Sequence, residues 1–224
     1  MRLLPRSLAE AFLHNEKEIF SDARTSTMPA LSLIYQDLAQ GRLAEPTKVA
    51  IGQELSERAR ALQGPDFRSA VIALGAAYRL AVDLPDPGIG SGLGADAKAR
   101  AIRQEFYLFV AANRGKIPLV VVEPASLRMR LDAVPGFLAS VVAKTSAQAA
   151  LLRQEGHEGG RVLRYGEIDF RSPVFAVAST AYSRSVSVVA AVWIAIWRSA
   201  GGDMTRQKAP QTINPRPLEL SEEN

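Results

Sequence analysis

The sequence predicts a single all-α domain of six or seven helices that ends in a flexible tail. Apolar residues recur at the three- and four-residue spacing of a helix along most of the chain, and clusters of glycine and proline separate these runs. With 224 residues, 47% hydrophobic and 22% charged, the chain is long enough to bury a sizeable core. We therefore assign residues 1–203 to one helical domain and the Pro-rich, polar residues 204–224 to a flexible C-terminal tail.

Helical patterns occupy most of the first 82 residues. The first pattern begins at Ser7 and has one apolar face. The second spans about residues 28–39, and the third spans residues 46–62 and is rich in Glu and Arg. Asp66 opens a strongly apolar helix, whose many small residues indicate burial on most sides.

A loop at residues 84–94, with sequence LPDPGIGSGLG, precedes the second half of the chain. Helices are predicted at residues 95–112 and 135–154. The apolar run at residues 117–122 is the one good strand candidate. It could equally be an extended apolar connection, because Pro118 and Pro124 discourage a central strand.

The last apolar stretch, residues 174–197, is long enough to raise the question of a membrane span. Arg184 stands at its centre among several serines, and an arginine at the middle of a bilayer costs about 2.5 kcal/mol or more. We therefore predict a buried core helix here and a chain that does not span a membrane.

The charge and cysteine content exclude several functional classes. The 27 basic residues exceed the 23 acidic ones by only four, and they are scattered singly or in pairs. Nucleic-acid-binding proteins concentrate such charge in a patch, so we expect no nucleic-acid partner. The chain has no cysteine, which removes disulfides, thiolate metal sites and cysteine nucleophiles. The first twenty residues lack the continuous apolar core of a signal peptide, and composition leaves the compartment open.

Familiar catalytic and phosphate-binding motifs do not explain the sequence. The alternate glycines at residues 88–94 follow a helix rather than a strand, and they match neither a dinucleotide fingerprint nor a Walker motif. His14 and His157 have no HExxH or comparable partner, and no GxSxG is present. We interpret the glycines as an inter-helix loop and both histidines as structural or solvated.

Two helical segments resemble the zinc-dependent phospholipase C and single-strand nuclease superfamily. They are AVIALGAAYRLAVDLPDPGI, Ala70–Ile89, and AIRQEFYLFVAAN, Ala101–Asn113. The final helix, SPVFAVASTAYSRSVSVVAAVWIAIWRSAGGD, also looks like the closing helix of bacterial members. The resemblance covers residues 66–113 and 172–203, about a third of the chain. It implies an all-helical phosphodiesterase-like fold and an extracytoplasmic location.

The resemblance also implies where metal ligands would stand, and most of them are replaced. Only Asp83 of the expected ligands remains. Arg79 and Ile89 stand at the first two histidine positions, and Arg103 and Tyr107 stand at the later histidine and its acidic partner. Arginine stays protonated and repels a metal ion, and isoleucine offers no donor atom. We therefore expect a degenerate site that binds no metal or cofactor.

Two interpretations of Arg79 and Asp83 are open. The residues are one helical turn apart. With Arg103 approaching from the neighbouring helix, they could form a buried network in which guanidinium charge replaces zinc charge. Alternatively, they form an ordinary surface pair of about 0.3–0.5 kcal/mol.

Three functions follow from these residues. We favour a non-catalytic binding or structural subunit whose partner is another protein or a second copy of the chain, because its many arginines suit an interface. The runner-up is a phosphoesterase that uses Asp83, Asp86 and Glu105 to hold magnesium or calcium. The third is an anion-binding module in which Arg79 and Arg103 hold a phosphate or carboxylate.

Overall fold

The computed structural model describes residues 3–25, 29–89, 96–118, 120 and 124–205. This part of the chain is mostly helical, which confirms the all-α class. Its nine α-helices exceed the six or seven expected. They are α1 (Arg6–His14), α2 (Glu16–Thr25), α3 (Pro29–Ala39), α4 (Glu45–Ala61), α5 (Phe67–Ile72), α6 (Leu74–Asp83), α7 (Ala97–Asn113), α8 (Val134–Glu155) and α9 (Pro173–Ser199).

The additional helices arise from two breaks inside predicted helices. The first predicted helix ends at His14 and restarts as α2, and Asn15 between them donates a side-chain hydrogen bond back to the carbonyl of Ala11 at 2.9 Å. Asparagine favours such local hydrogen bonds, which compete with helix continuation. The helix that begins after Asp66 is likewise interrupted at Ala73, between α5 and α6. Periodicity alone does not reveal either break, because the apolar face continues across it.

Helix α9 is the central element of the fold. Its first turns pack with α7 and α8 in one hydrophobic cluster, and its second half joins α1, α4 and α6 in a larger one. In the described part of the chain α9 is the one helix long and apolar enough to cross a membrane, but 61% of its most apolar window is buried inside the protein. The structure therefore does not contradict the predicted core helix.

Both ends of α9 carry recognisable signals. The side chain of Ser172 accepts a hydrogen bond from the backbone N–H of Phe175 at 3.3 Å, and Pro173 follows it in the first turn. At the other end Gly201 has a φ of +78°, and Gly202 donates its N–H to the carbonyl of Trp197 at 2.9 Å. This is a Schellman arrangement, and it favours glycine at position 201 because of the positive φ.

At the residues of the 117–122 run that the structure describes, no strand forms, which agrees with the alternative interpretation as a connection. Ile117 lies in a bend, and Pro118 and Val120 have no regular structure. Instead, His157–Glu158 pairs antiparallel with Arg161–Val162 in a short hairpin. Gly159 and Gly160 form its two-residue turn with φ values of +55° and +85°, the geometry that a tight hairpin of this type requires.

The predicted tail lies outside the described residues except for its first two positions. Met204 packs against the main hydrophobic cluster. The carbonyl of Thr205 accepts a hydrogen bond from the backbone N–H of Arg6 at 2.9 Å. Residues 204 and 205 therefore contact the helical domain.

Arg58 on α4 holds the break between α5 and α6. Its guanidinium donates to the carbonyl of Ala73 and, at 2.6 Å, to the carboxylate of Glu54 one turn earlier on α4. The Arg58 side chain is only 12% exposed. It thus satisfies a backbone carbonyl at the helix break and joins α4 to α5.

Replacing Arg58 should destabilise the fold. We expect R58M to lower the free energy of unfolding by about 2 kcal/mol, because it removes charge-assisted hydrogen bonds and leaves partly buried acceptors unpaired. The matched control is R60M, which alters an exposed arginine on the same helix and should change stability by less than about 0.5 kcal/mol. Urea denaturation followed by circular dichroism measures both. Equal losses in the two variants would contradict this role.

Candidate functional site

Asp83, at the C-terminal end of α6, receives two side chains. The Nε atom of Arg79 lies 3.7 Å from its Oδ2 atom, and the hydroxyl of Tyr35 on α3 donates a hydrogen bond to the same oxygen at 2.5 Å. The Arg79 side chain is 38% exposed and that of Asp83 is 20% exposed. The pair is therefore half-buried, and its additional partner is a tyrosine rather than Arg103.

Asp86 lies in the turn that follows α6 and is held on both carboxylate oxygens. Its Oδ1 atom accepts the backbone N–H of Gly88 at 2.7 Å, a hydrogen bond typical of aspartate in a turn. Its Oδ2 atom accepts the hydroxyl of Tyr107 on α7 at 2.8 Å. The Tyr107 ring lies directly against Gly88, where a Cβ atom would overlap it, so this contact favours glycine at position 88.

Burial dominates the electrostatics of both carboxyls. It raises the pKa of Asp83, against the hydrogen bond from Tyr35 and the charge of Arg79. It also raises the pKa of Asp86, against the hydrogen bonds from Tyr107 and Gly88 and the charge of Arg103, while the negative charge of Asp83 adds to the increase. Burial, followed by the charge of Asp86, raises the pKa of Tyr107. The site thus holds two adjacent carboxyls whose ionisation is costly.

The structure brings together most of the positions that the resemblance singled out. Arg79 contacts Asp83, Tyr107 contacts Asp86, and Arg103 acts on Asp86 electrostatically. Ile89 is partly buried and packs against the main hydrophobic cluster.

Glu105 lies apart from the two aspartates. It is two residues from Tyr107 on α7, which places it about 200° away around the helix. Its carboxylate accepts the backbone N–H of Tyr165 at 2.8 Å, whereas Tyr107 contacts Asp86. Asp83, Asp86 and Glu105 therefore do not converge. Among the described residues, no group of three or more His, Asp or Glu side chains is placed to hold a metal ion.

The two histidines have local structural roles. His14 Nδ1 lies 2.9 Å from the carbonyl of Glu10, and His157 Nδ1 lies 3.0 Å from the carbonyl of Arg153. Each contact spans one helical turn. This geometry agrees with their interpretation as structural or solvated residues.

An apolar cavity of about 440 Å³ opens beside Asp86 and Tyr107. Its walls come from α1, α2, α6, α7 and α9, together with the turn at Pro87. Phe20, Tyr107 and Val186 line it and remain partly exposed, so they connect the cavity to solvent. The other lining side chains are Leu3, Leu4, Phe12, Glu16, Ile19, Tyr78, Val82, Asp86, Phe106, Val110, Ala178, Ala181, Tyr182, Ser185, Val189, Ala190 and Trp193.

A row of four aromatic rings lines one side of the cavity. Phe12 stacks on Trp193 with ring centroids 3.8 Å apart, and Tyr78 follows 5.9 Å from Trp193. Phe20 meets Tyr78 edge-on at 5.3 Å. The row joins four helices through their side chains. The residues of this cavity come from segments far apart in the chain and carry no motif, so no sequence pattern predicts the site.

Comparison of the chain with protein-family models, curated proteins and solved structures gives no match. The resemblance to the zinc-dependent phospholipase C and nuclease superfamily therefore stays a prediction from the sequence.

The raised pKa of Asp86 predicts a specific pH dependence of stability. The folded state binds the Asp86 proton more tightly than the unfolded state, so this stabilising contribution is full below the unfolded pKa and is lost as pH rises through the folded pKa. D86N cannot ionise. We therefore expect the free energy of unfolding of D86N, relative to wild type, to increase as pH rises from about 4 to 7. Chemical denaturation at several pH values tests this, and a constant or falling difference would contradict it.

Proposed function

We propose that the chain is a non-catalytic binding protein whose binding site is the apolar cavity beside Asp86 and Tyr107. The cavity itself carries this proposal. Its volume of about 440 Å³ lies in the range of small-molecule sites, which are concave, mostly apolar and equipped with a few polar groups. Protein interiors are close-packed and rarely contain a cavity of this size, so its presence favours a binding site over a simple core.

The arrangement of the carboxylates supports a non-catalytic role. One oxygen of Asp83 is already occupied by Tyr35 and Arg79, and both oxygens of Asp86 accept hydrogen bonds from the protein. A metal ion would have to displace these donors and tolerate a neighbouring guanidinium. This counts against the phosphoesterase alternative built on these residues.

The anion-binding alternative is weaker for a related reason. Arg79 is paired with Asp83, and Arg103 acts on Asp86. A phosphate or carboxylate at these arginines would compete with two nearby carboxylates of its own sign. Neither arginine lines the cavity. A partner protein or a second copy of the chain stays a prediction from the sequence.

A neutral fluorescent probe tests whether the cavity binds ligands. We expect Nile red to bind saturably at one site and A181F to weaken it by at least about tenfold, equivalent to 1.4 kcal/mol. Ala181 lines the cavity, and a phenylalanine there would fill it. Fluorescence titration measures the affinities.

A matched control distinguishes the cavity from the general surface. A112F makes the same change at an exposed position of α7 outside the cavity, and it should leave the affinity within about twofold of wild type. Circular dichroism checks that both variants are folded. Equal Nile red binding by wild type and a folded A181F would overturn the proposed function.

Metal content tests the non-catalytic role separately. After exposure to zinc and removal of the excess, we expect the purified protein to retain well below one zinc ion per chain by plasma mass spectrometry, because no three His, Asp or Glu side chains converge among the described residues. One or more tightly held zinc ions per chain would contradict the proposal and make phosphodiester hydrolysis the next assay.

A further inference from the structure

The described walls of the cavity carry negative charge and no positive charge. Two carboxylates, Glu16 and Asp86, line it, and no described lysine, arginine or histidine does. Arg103 acts on Asp86 but is not a lining residue. The other polar side chains that line it among the described residues are Tyr78, Tyr107, Tyr182, Ser185 and Trp193, whose indole N–H is bonded to the carbonyl of Leu74.

Both carboxylates can accept hydrogen bonds from a ligand. Each oxygen of Asp86 accepts one hydrogen bond from the protein, whereas a carboxylate oxygen can accept two. Glu16, at the start of α2, is exposed and makes no hydrogen bond or ion pair within the described part of the chain. Acceptors therefore remain available at the cavity wall.

The aromatic row adds a second attraction for a cation. Aromatic rings attract a cation placed against their negative faces, and Trp193, Tyr78 and Phe12 all line the cavity. These same rings offer apolar surface to an uncharged chain. One wall of the cavity thus suits both parts of an amphipathic cation.

We propose that the cavity selects an amphipathic amine, with an apolar body among the aromatic and aliphatic walls and a protonated primary amino group at the carboxylates. This inference rests on the proposed binding function and specifies its ligand class. A primary ammonium brings three N–H donors, and each lining carboxylate, Glu16 or Asp86, can accept them. The ammonium also supplies the counter-charge that the buried Asp86 carboxyl lacks within the cavity.

The same charges discriminate against the ligands that most often occupy apolar cavities. A fatty acid would bring its carboxylate against Glu16 and Asp86 with no lining cation among the described residues to compensate. Like charges placed together in a poorly solvated site repel and so provide specificity against the wrong ligand. The affinity for a neutral alcohol of equal chain length should lie between the affinity for the amine and the affinity for the fatty acid.

Octylamine, octanol and octanoate, which share the same eight-carbon chain length, test the inference by isothermal titration calorimetry at pH 7. We expect octylamine to bind at least about tenfold more tightly than octanoate, with octanol between them. E16Q and D86N should each weaken octylamine about fivefold or more and change octanol binding less than twofold. E10Q is the control: it removes an exposed carboxylate of α1 that does not line the cavity, and octylamine affinity should stay at the wild-type value.

The outcomes separate this inference from the proposed function. If octanol binds and the affinity for octanoate equals that for octylamine, the amine selectivity is overturned and the proposed apolar binding function is retained. An amine preference that is unchanged in both E16Q and D86N would also overturn it. Absence of binding by all three ligands would overturn the binding function and the inference together.

Discussion

The burial of α9 is the constraint on which the remaining structure depends. Nearly every position of its second half is buried, and Trp193 at the centre of that half stacks on Phe12 of α1. The same indole donates its N–H to the carbonyl of Leu74 at the start of α6, at 3.3 Å. One side chain thus fixes two other helices by apolar contact and by a hydrogen bond. Since α6 also carries Asp83, the position of the carboxylates follows from the packing of α9.

The packing that fixes these helices also leaves the cavity open. Ala178, Ala181 and Ala190 face it from α9, and their short side chains cannot reach the opposite wall. Large rings stand around them, from Phe12 to Phe106. Helix α9 therefore has two roles. Its two tryptophans fill the core near its C-terminal end, and its small lining residues leave the cavity open.

Each of the two aspartates accepts a hydrogen bond from a tyrosine. Burial raises the pKa of both carboxyls, and the hydrogen bonds from Tyr35 and Tyr107 oppose this increase only in part. An arginine in the same position would have lowered the pKa through its charge. The two tyrosines therefore orient Asp83 and Asp86 without bringing a positive charge to them.

Local patterns predicted the helices well, and long-range contacts account for what was missed. The bounds of α4, α8 and α9 lie within a residue or two of the predictions, because proline, glycine and capping residues mark them. The breaks at Asn15 and Ala73 were not foreseen. At the break at Ala73, the carbonyl of that residue is bonded by Arg58, which lies fifteen residues earlier in the chain. A contact over that distance is not visible in a local sequence pattern. Likewise, the one-turn spacing of Arg79 and Asp83 was readable from the sequence, whereas Tyr35 reaches Asp83 across 48 positions.

The turn after α9 has a consequence for how the molecule can be re-engineered. Asp203 offers its carbonyl to both the indole of Trp197 and the hydroxyl of Ser7, and Thr205 is bonded to Arg6. Residues 6 and 205 are thus neighbours in space, so a short linker could join the two ends of the described part of the chain. The exposed hairpin at Gly159 and Gly160 would then be a suitable place to open new ends. Such a circular permutant would keep every helix that the structure describes, and its new termini would lie far along the chain from Leu3 and Leu4 of the cavity wall.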